Sequence, residues 1–390
     1  MSVEGRRVEA RDLRILYLIH GLGTGGVERS VVDLLPHLAE RGVSLEFVCM
    51  SRRSVGVQGE IDSTRLRFVG AANKAARVRE VRHLLKRLRP DVLHTTMKQA
   101  DLIGRLAAIG TKTPVLTSLV NPIYELDRVR ADPSVSPRRK AMVRLVDGYV
   151  GANLTDHFHA VSESVKRSAI NKLRIPSDRI TVVGRGRETS RLGVPSPERR
   201  AQVRVDLGLT ESDEVVFTAG RQENQKGHRF LLEAISLLRP HRPNLRLLVA
   251  GQKGRSTPDL VRSVDRLGLR DVVRFLGYRS DIGDLLCAAD VFCFPSVYEG
   301  FGGAALEAMA MGVPVVASDI PALREVVGET GILVPPEMSD ELGAALTRVL
   351  DDRILAAELA AEARVRVSNR FPIVGIADQM ADLYRQVASN

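Results

Sequence analysis

Short apolar runs alternate along the chain with longer segments whose apolar residues recur every three or four positions. In one such segment Val31, Leu34 and Leu38 fall on one face of a predicted helix that ends at Gly42. The apolar runs predict strands at 13–20, 44–50, 65–70, 91–96, 114–120, 157–162, 179–184, 214–220, 244–251, 271–277, 290–296, 313–319 and 331–336. Apolar strands that alternate with helices are typical of parallel sheets covered on both faces. The pattern therefore predicts an α/β protein.

The chain is long enough for two domains. Its 390 residues compare with roughly 100–200 residues for an average domain. Segment 186–200, GRETSRLGVPSPERR, is rich in Arg, Pro and Ser, which indicates an interdomain linker. We predict a first domain over 1–190 and a second over 191–370. Because parallel sheets bind ligands at the carboxyl ends of their strands, a site is expected in the cleft between two facing sheets.

Composition favours a reduced, cytoplasmic protein. The three cysteines, Cys49, Cys287 and Cys293, sit in apolar settings without the spacing of metal ligands or of a disulfide framework. No apolar run reaches the roughly 18 residues that a membrane span needs. The first residues, MSVEGRRVEARDLR, carry charges but no apolar segment typical of a signal peptide.

The positive charge is concentrated in the first half. Residues 1–190 carry a net charge of +13 and residues 191–390 a net charge of −3. A basic half indicates an anionic partner, such as nucleic acid, a membrane surface or a phosphorylated acceptor, or merely solvated arginines. Only 4% of the residues are aromatic, and they do not alternate with basic residues, which argues against nucleic acid. Segment 74–90 is a predicted helix with seven basic residues and an apolar stripe. It could dock on anionic lipid or pack its stripe on the core.

A glycine-rich loop follows the first predicted strand. Gly21, Gly23 and Gly26 satisfy the pattern G-x-G-x-x-G. A dinucleotide site would also need an acidic residue after the second strand, which instead runs into Met50 and Ser51. The loop offers backbone N–H groups at a helix N-terminus, which suit a phosphate, or it is a tight turn without a ligand.

Two basic residues follow the first strand of the second half. Arg221 and Lys226 flank a polar loop that leads into an amphipathic helix. A planar guanidinium and a mobile ammonium at the carboxyl end of a strand suit a diphosphate. Taken alone, two basic residues on a loop are more often simply solvated.

The most informative segment is SVYEGFGGAALEAMAMGVPVVASD, residues 296–319. Glu299 follows a predicted strand, and Glu307 comes eight residues later in an apolar helix. Glycines between them permit a close turn whose helix directs its N–H groups back toward the loop. A buried carboxylate is costly unless it is hydrogen-bonded, and the diol of a sugar or ribose would provide that bond. The alternative is a capping or solvent-facing Glu307.

This segment resembles the E-x7-E signature of the retaining glycosyltransferases of family 4. That family has the GT-B fold, an α/β architecture in which two Rossmann-like parallel-sheet domains face each other across a cleft. Further segments resemble the family in the order it shows them, namely GTGGVER, HAVSESVKRSAI, GRQENQKG and FLGYRSDIGDLLCAADVFCFPS. The end of the chain, 371–390, resembles the family's C-terminal helix, which crosses back onto the first domain.

The resemblance implies roles for individual residues. The first domain would bind the acceptor and the second a nucleotide-sugar donor. Arg221 and Lys226 would neutralise the donor diphosphate, and Lys226 would also stabilise the leaving group. Glu307 would bind the ribose, and Glu299 would contact the donor sugar near its reacting carbon. The other donor contacts would come from Gly25, Gly26, Gly251, Tyr278, Arg279, Phe301, Gly302 and Gly303.

The expected reaction is retaining transfer of a hexose from a nucleoside-diphosphate sugar, with UDP- or GDP-sugars as expected donors and no further cofactor. The acceptor would be a glycan, a lipid-linked or a small molecule of cell-envelope or secondary metabolism. No Asp-x-Asp motif occurs in the loops that carry motifs, so Arg221 and Lys226 are predicted to replace a metal. The family uses a front-face route, so Glu299 is not a covalent nucleophile. The protein would act in the cytoplasm, with peripheral contact to the inner face of the membrane through 74–90 as an open alternative.

Two positions depart from the family pattern. Val120 stands where many members carry a histidine, and residues 185–188, Arg-Gly-Arg-Glu, replace a usual Asn-Gly-hydrophobic-Asp turn. Both departures lie on the acceptor side. Two other functions stay open, a degenerate GT-B protein that binds without transfer and a GT-B epimerase or phosphorylase. The first predicts lost donor-site charges, which are present, and the sequence has no signature for the second.

Overall fold

The first half of the chain forms one parallel sheet. The structure, a computed structural model, describes residues 12–122 and 137–389. The strands of this sheet are β1 (Leu13–Ile19), β2 (Val43–Cys49), β3 (Leu66–Phe68), β4 (Val92–Thr96), β5 (Val115–Leu119), β6 (His157–Ala160) and β7 (Ile180–Val182). Their order across the sheet is β3-β2-β1-β4-β5-β6-β7, and neighbours run parallel. The strand order reverses between β1 and β4, where such sheets open a ligand crevice.

The second half repeats the plan with another parallel sheet. Its strands are β8 (Glu214–Ala219), β9 (Leu245–Ala250), β10 (Val273–Gly277), β11 (Val291–Phe294), β12 (Val315–Ser318) and β13 (Ile332–Val334). They lie in the order β10-β9-β8-β11-β12-β13, and the order reverses between β8 and β11. The predicted pair of parallel-sheet, Rossmann-like halves is confirmed.

Helices cover both faces of the two sheets. Those described in the first half are α1 (Gly26–Ala39), α2 (Lys74–Leu88), α3 (Lys98–Ala108), α4 (Pro137–Leu154) and α5 (Glu163–Leu173). The remaining described helices are α6 (Pro197–Asp206), α7 (His228–Leu238), α8 (Thr257–Arg266), α9 (Ile282–Ala288), α10 (Gly303–Ala310), α11 (Pro321–Val326), α12 (Ser339–Asp351), α13 (Arg353–Arg370) and α14 (Ile373–Ala388). Because helices cover both faces, the inner strands are largely buried. Every residue of β11 and β12, for example, is buried.

The chain ends on the first sheet. Helix α14 packs against α1, and its Ile376, Met380 and Tyr384 belong to the core cluster that contains β1. Segment 186–200 joins β7 to α6, and its last residues form the first turn of α6. One part of that segment, Arg187, is deeply buried.

Direct hydrogen bonds connect the two halves. The hydroxyl of Ser162 donates to the carbonyl oxygen of Gly300 at 2.7 Å. The carboxylate of Glu325 accepts from the backbone N–H groups of Glu163 and Ser164, at 2.9 and 2.7 Å, at the N-terminus of α5. A side chain of the second half therefore caps a helix of the first half.

The basic helix predicted at 74–90 is α2. Its Val81 and Leu85 are buried in a cluster with β1, β4 and α3, so the apolar stripe faces the core. Arg82 donates to the carbonyl oxygens of Leu106 and Ala107 at the end of α3. Contact with lipid would therefore depend on the charged face alone. In the part of the chain that the structure describes, none of the helices combines the length and apolar character needed to span a membrane.

Candidate functional site

The candidate residues gather at the carboxyl ends of the inner strands. The loop after β1 contains Gly25, the loop after β8 contains Arg221 and Lys226, and the loop after β11 contains Glu299. These three strands border the two switch points, where parallel sheets bind ligands. The topology therefore brings together segments that lie up to 274 residues apart in the sequence, the separation of Gly25 and Glu299.

Lys226 and Glu299 form a close ion pair. The Nζ atom of Lys226 lies 2.5 Å from Oε1 of Glu299. The ammonium also lies 5.0 Å from the centre of the Phe294 ring. The two side chains are only 20% and 10% exposed, so their charges are weakly screened by water. The pair fixes a cation and a carboxylate at the carboxyl ends of adjacent strands, β8 and β11.

Arg221 faces the glycine loop from across the cleft. Its side chain is exposed, and it makes no hydrogen bond or ion pair to any described residue. Burial raises the pKa of Glu28, in the first turn of α1, and the charge of Arg221 opposes that shift. The Oε2 atom of Glu28 is buried without a hydrogen-bond partner among the described residues. The guanidinium of Arg221 is thus available to bind a ligand in the cleft.

The loop after β11 touches the first half of the chain. A Cβ atom on Gly300 would lie 1.9 Å from the carbonyl oxygen of Val120, so only glycine fits this approach. The Phe301 side chain is buried, with its ring centre 5.7 Å from that of Phe371. Only the backbone of Phe301 can therefore face the cleft. Gly302, with φ of 107°, and Gly303 open α10.

Two arginines hold Glu307, the second acidic residue of the signature. Glu307 is buried on α10, and its Oε1 atom accepts from Nε of Arg187 at 3.1 Å and from Nη2 of Arg191 at 2.6 Å. Its buried carboxylate therefore has cationic partners in this structure. Both arginines use the same oxygen. Among the described residues, nothing donates a hydrogen bond to Oε2.

Arg187 also joins the two halves of the cleft. Its Nη1 atom donates to Oγ of Ser30 on α1 at 2.6 Å. A Cβ atom on Gly303 would lie 1.9 Å from its Nη2 atom, so the guanidinium lies against the N-terminus of α10. Sequence reasoning placed Arg187 and Arg191 in a linker and missed both. The available signal was the departure from the family turn at 185–188, which put a charged residue where the family has a hydrophobic one.

The residues predicted for the base pocket lie together at the edge of the second sheet. The N–H group of Gly251, just after β9, donates to the carbonyl oxygen of Gly277 at 2.7 Å. Tyr278 follows and is 40% exposed. Arg279 pairs with Asp281 through two hydrogen bonds, one of 2.7 Å. Its guanidinium is thus already paired with Asp281. The Tyr278 ring and backbone groups are then the candidates for lining the predicted base pocket.

No metal centre is visible among the described residues. Across 12–122 and 137–389, no three or more His, Cys, Asp or Glu side chains are grouped to hold an ion. The thiols of Cys49, Cys287 and Cys293 are free and buried. Burial raises the pKa of each, to about 12 for Cys49, so they stay protonated.

A chain of hydrogen bonds lies beneath the carboxyl edge of the first sheet. Tyr384 Oη lies 2.7 Å from Nδ1 of His94, whose Nε2 lies 2.7 Å from Oγ of Ser118. That oxygen lies 2.8 Å from Nδ1 of His159, whose Nε2 lies 2.9 Å from the carbonyl oxygen of Val183. Because a carbonyl only accepts, His159 donates from Nε2. With both imidazoles neutral, Ser118 then donates to Nδ1 of His159, His94 donates from Nε2 to Ser118, and Tyr384 donates to Nδ1 of His94.

The surroundings agree with neutral imidazoles. Burial lowers the pKa of His94 well below its usual value, and the nearby His159 adds to the shift. Burial likewise lowers the pKa of His159 to about 4. His94, which the sequence left open between an acceptor contact and a structural role, has both ring nitrogens engaged inside the protein.

Two family models match the chain. The model described as "Glycosyltransferase Family 4" matches residues 24–191, and the model described as "Glycosyl transferases group 1" matches residues 213–352. The two matches together leave out only 1–23, 192–212 and 353–390.

Curated proteins and solved structures give a consistent picture. The chain is 30% identical over 220 residues to an alpha-D-kanosaminyltransferase of Streptomyces kanamyceticus, which covers 55% of this chain and 56% of that protein. It thus spans about half the length of this curated relative. It is 28% identical over 411 residues to a D-inositol 3-phosphate glycosyltransferase of Kineococcus radiotolerans, covering 94% and 91%. The crystal structure of Anabaena Alr3699/HepE in complex with UDP and glucose superposes with a TM-score of 0.81 at 22% identity, covering 96% of this chain and all of that one.

Proposed function

Because this chain belongs to glycosyltransferase family 4 and has the GT-B fold, we propose that it transfers a hexose from a nucleoside-diphosphate sugar to an acceptor hydroxyl, with retention of configuration. The observation that carries the proposal is the Lys226–Glu299 pair, 2.5 Å apart at the carboxyl ends of β8 and β11. A cation for the leaving diphosphate and a carboxylate for the sugar hydroxyls then stand side by side.

The diphosphate would lie between the two glycine-containing helix starts. The ammonium of Lys226 and the exposed guanidinium of Arg221 would contact the diphosphate oxygens. The N–H groups of Gly302 and Gly303, at the start of α10, would contact them as well. Gly25 and Gly26, at the start of α1, would close over it from the first domain. As the bond to the sugar breaks, negative charge grows on the diphosphate, and cations already in place stabilise that charge without reorganisation.

Glu307 would bind the ribose through its second oxygen. Arg187 and Arg191 hold Oε1, which orients the carboxylate, and a ribose hydroxyl would donate to Oε2. The two arginines would then act as positioning residues for the ribose contact. Gly251 and the Tyr278–Arg279 region would line the base pocket, with the Tyr278 ring free to contact the base.

Glu299 would orient the donor sugar rather than attack it. Its carboxylate accepts a hydrogen bond from Lys226, which holds it next to the leaving group. The carboxylate oxygens would also accept hydrogen bonds from the sugar hydroxyls. In a front-face route the acceptor hydroxyl approaches on the side from which the diphosphate departs, which gives retention. No covalent intermediate on Glu299 is part of this proposal.

The transfer is proposed to need no metal, because Arg221, Lys226 and a helix N-terminus can supply the positive charge that a divalent cation provides elsewhere. UDP-sugars are the first donors to test, since the HepE structure contains UDP and glucose. GDP-sugars are the second.

The acceptor class is proposed from the relatives and the charge. A relative is named for inositol 3-phosphate, which is a small phosphorylated polyol, and another for transfer of kanosamine. Glycan, lipid-linked and small-molecule acceptors are all compatible with the basic first half. Contact with an anionic membrane would use the charged face of α2, because its apolar stripe is buried.

The test is a panel of UDP-, GDP- and ADP-sugars with measurement of nucleoside diphosphate release, with and without a chelator. We expect release with one nucleotide class, undiminished by chelation. The anomeric configuration of the product, read by NMR, tests retention. If no donor is cleaved but one raises the thermal unfolding temperature, the protein binds nucleotide sugars without transfer. No cleavage and no thermal shift with any donor would end the proposal.

A further inference from the structure

A small cavity at the carboxyl edge of the first sheet takes no part in the proposed donor site. It has a volume of about 40 Å³ and lies between α1 and α14. Its apolar wall includes Val31, Leu38 and Met380. Its polar wall is made by the hydrogen-bond chain described above and by Tyr17, Ser30 and Arg185.

Most of the polar wall has no hydrogen-bond donor left for a ligand. Each imidazole nitrogen of His94 and His159 is engaged, and the hydroxyl of Ser118 donates to His159. The hydroxyl of Ser30 donates to the carbonyl oxygen of Gly26. Tyr17 shares a hydrogen bond of 2.8 Å with Thr96, in which either hydroxyl could be the donor. The wall is thus neutral and largely satisfied within the protein.

Arg185 is the exception. It follows β7, it is partly buried, and it is the one charged residue among the described residues that line the cavity. No described residue forms a hydrogen bond or an ion pair within 4 Å with its guanidinium. Burial lowers its pKa to about 10 and the charge of Arg187 adds to the shift, while Glu28 and Glu299 oppose it from a longer distance. It is still a cation at neutral pH, with five N–H donors to offer.

We propose that this cavity is an acceptor subsite for a phosphate group, and that Arg185 binds that phosphate. A guanidinium binds two phosphate oxygens at once, and a partly buried cation without a counter-ion is stabilised by an anionic ligand. The cavity holds no carboxylate among its described lining residues that would repel one.

The position of Arg185 suits an acceptor beside the donor sugar. Arg185 is within electrostatic reach of Glu299, beside which the donor sugar would lie. A phosphate on Arg185 would therefore leave the rest of the acceptor at the mouth of the cavity, next to the reacting carbon. The inference rests on the proposed transfer, and it narrows the acceptor to a phosphorylated molecule, either soluble or a lipid with a phosphate headgroup.

The test uses the whole protein saturated with UDP, which keeps added phosphate out of the donor site. The soluble probes are inorganic phosphate, glycerol 3-phosphate and glycerol, and the lipid probes are vesicles with phosphatidic acid or with phosphatidylcholine only. We expect glycerol 3-phosphate to bind at least tenfold more tightly than glycerol by calorimetry. R185Q should remove that difference and R185K should restore part of it, because lysine keeps the charge but not the planar fork. R266Q, which removes an exposed arginine at the end of α8 in the second half of the chain, is the matched control.

The outcomes distinguish failure of the phosphate subsite from failure of the proposed glycosyl transfer. A selective gain with soluble phosphate, or with phosphatidic acid only, supports the subsite and identifies the source of the phosphate. Equal affinity of R185Q and the unchanged protein for the phosphate probes overturns it, and so does phosphate binding that UDP displaces. If R185Q fails to fold, as judged by thermal unfolding, the comparison uses R185K. Weaker phosphate binding by R185K than by the unchanged protein then supports the subsite, and equal binding overturns it. If UDP itself does not bind, the proposed transfer fails, while phosphate binding at Arg185 can still be measured without nucleotide.

Discussion

Tyr384, six residues from the end of the chain, places its hydroxyl 2.7 Å from Nδ1 of His94 in the middle of the first sheet. The two residues are 290 positions apart, and both are almost fully buried. The bond connects α14 to β4 and sets the first link of the chain that ends at Val183. The C-terminal helix is thus joined to the first sheet by a directed polar contact as well as by apolar packing.

The first prediction concerns this bond. Tyr384→Phe removes the hydroxyl and leaves Nδ1 of His94 as a buried acceptor without a partner. We expect the free energy of unfolding to fall by about 1–3 kcal/mol, measured by urea denaturation. Tyr149→Phe, at a tyrosine that is 72% exposed, should leave it unchanged. Equal stability of Y384F and the unchanged protein would mean that the hydrogen bond contributes nothing.

The second prediction is a pH dependence. Burial lowers the pKa of His159 to about 4 in the folded protein, against 6.5 for an exposed histidine. Below pH 6.5 the His159 imidazole therefore takes up a proton in the unfolded chain but not in the folded protein, and the free energy of unfolding falls. The loss continues down to about pH 4 and amounts to about 3 kcal/mol for this residue, whereas above pH 6.5 it contributes nothing.

Other groups titrate in the same pH range, so the effect of His159 is isolated by comparing the pH dependence of the unfolding free energy between variants. His159→Gln should flatten the decrease in unfolding free energy between pH 6.5 and 4. His83→Gln, which changes an exposed histidine on α2, should keep the slope of the unchanged protein. An identical slope in H159Q would show that His159 is not held neutral.

The fold could be predicted because its causes are local. Strands buried on both faces are mostly apolar, so runs such as 291–294 and 315–318 are visible in the sequence. The signature around Glu299 and Glu307 was equally visible, since a glycine turn between a strand and a helix is a local pattern. These features depend on neighbours in sequence.

The partners of Glu307 could not be predicted in the same way. Arg187 and Arg191 reach it from 120 and 116 residues away, and nothing near them in sequence indicates burial. A segment rich in Arg, Pro and Ser has the composition of an exposed linker, and here tertiary contacts with Ser30 and Glu307 override it. The same holds for His94, whose partner Tyr384 lies on the last helix.

The third prediction tests the diphosphate contact. Lys226→Ala removes the ammonium that would stabilise the leaving group, and we expect turnover to fall by about 10²–10³-fold. Arg229→Ala is the matched control, because Arg229 is a cation three residues away that is exposed, with a 3.4 Å pair to Glu337 and a contact to the Phe230 ring. Nucleoside diphosphate release is the measurement. Turnover of K226A within twofold of the unchanged enzyme would remove Lys226 from the catalytic set.

The fourth prediction tests the ribose contact. Glu307→Gln keeps the shape of the side chain but removes the charge that balances Arg187 and would hold the ribose. We expect UDP affinity to fall about tenfold, and stability to fall by about 3 kcal/mol because a buried guanidinium loses its counter-ion. Glu362→Gln, an exposed change on α13, should do neither. Reduced stability with unchanged UDP affinity would assign Glu307 a structural role only.

The fifth prediction tests how the signature loop packs on the first domain. A Cβ atom on Gly300 would meet the carbonyl oxygen of Val120 at 1.9 Å and its carbonyl carbon at 2.8 Å. Both are backbone atoms, so no side-chain rotation relieves the clash, and the loop has to move away from β5. The same movement would stretch the hydrogen bond from Ser162 to the Gly300 carbonyl, now 2.7 Å.

Gly300→Ala should therefore displace the neighbouring Glu299 from its position beside Lys226. We expect turnover to fall at least tenfold while UDP affinity changes less, because Arg221, Lys226 and Glu307 keep their places. Gly59→Ala is the control, since a Cβ atom there meets nothing within 4 Å. The measurements are turnover, UDP affinity and thermal unfolding for both variants. If G300A turns over at the rate of G59A, the close approach of the two domains at Val120 does not matter for transfer, because the chemistry then tolerates a loop that has been pushed away.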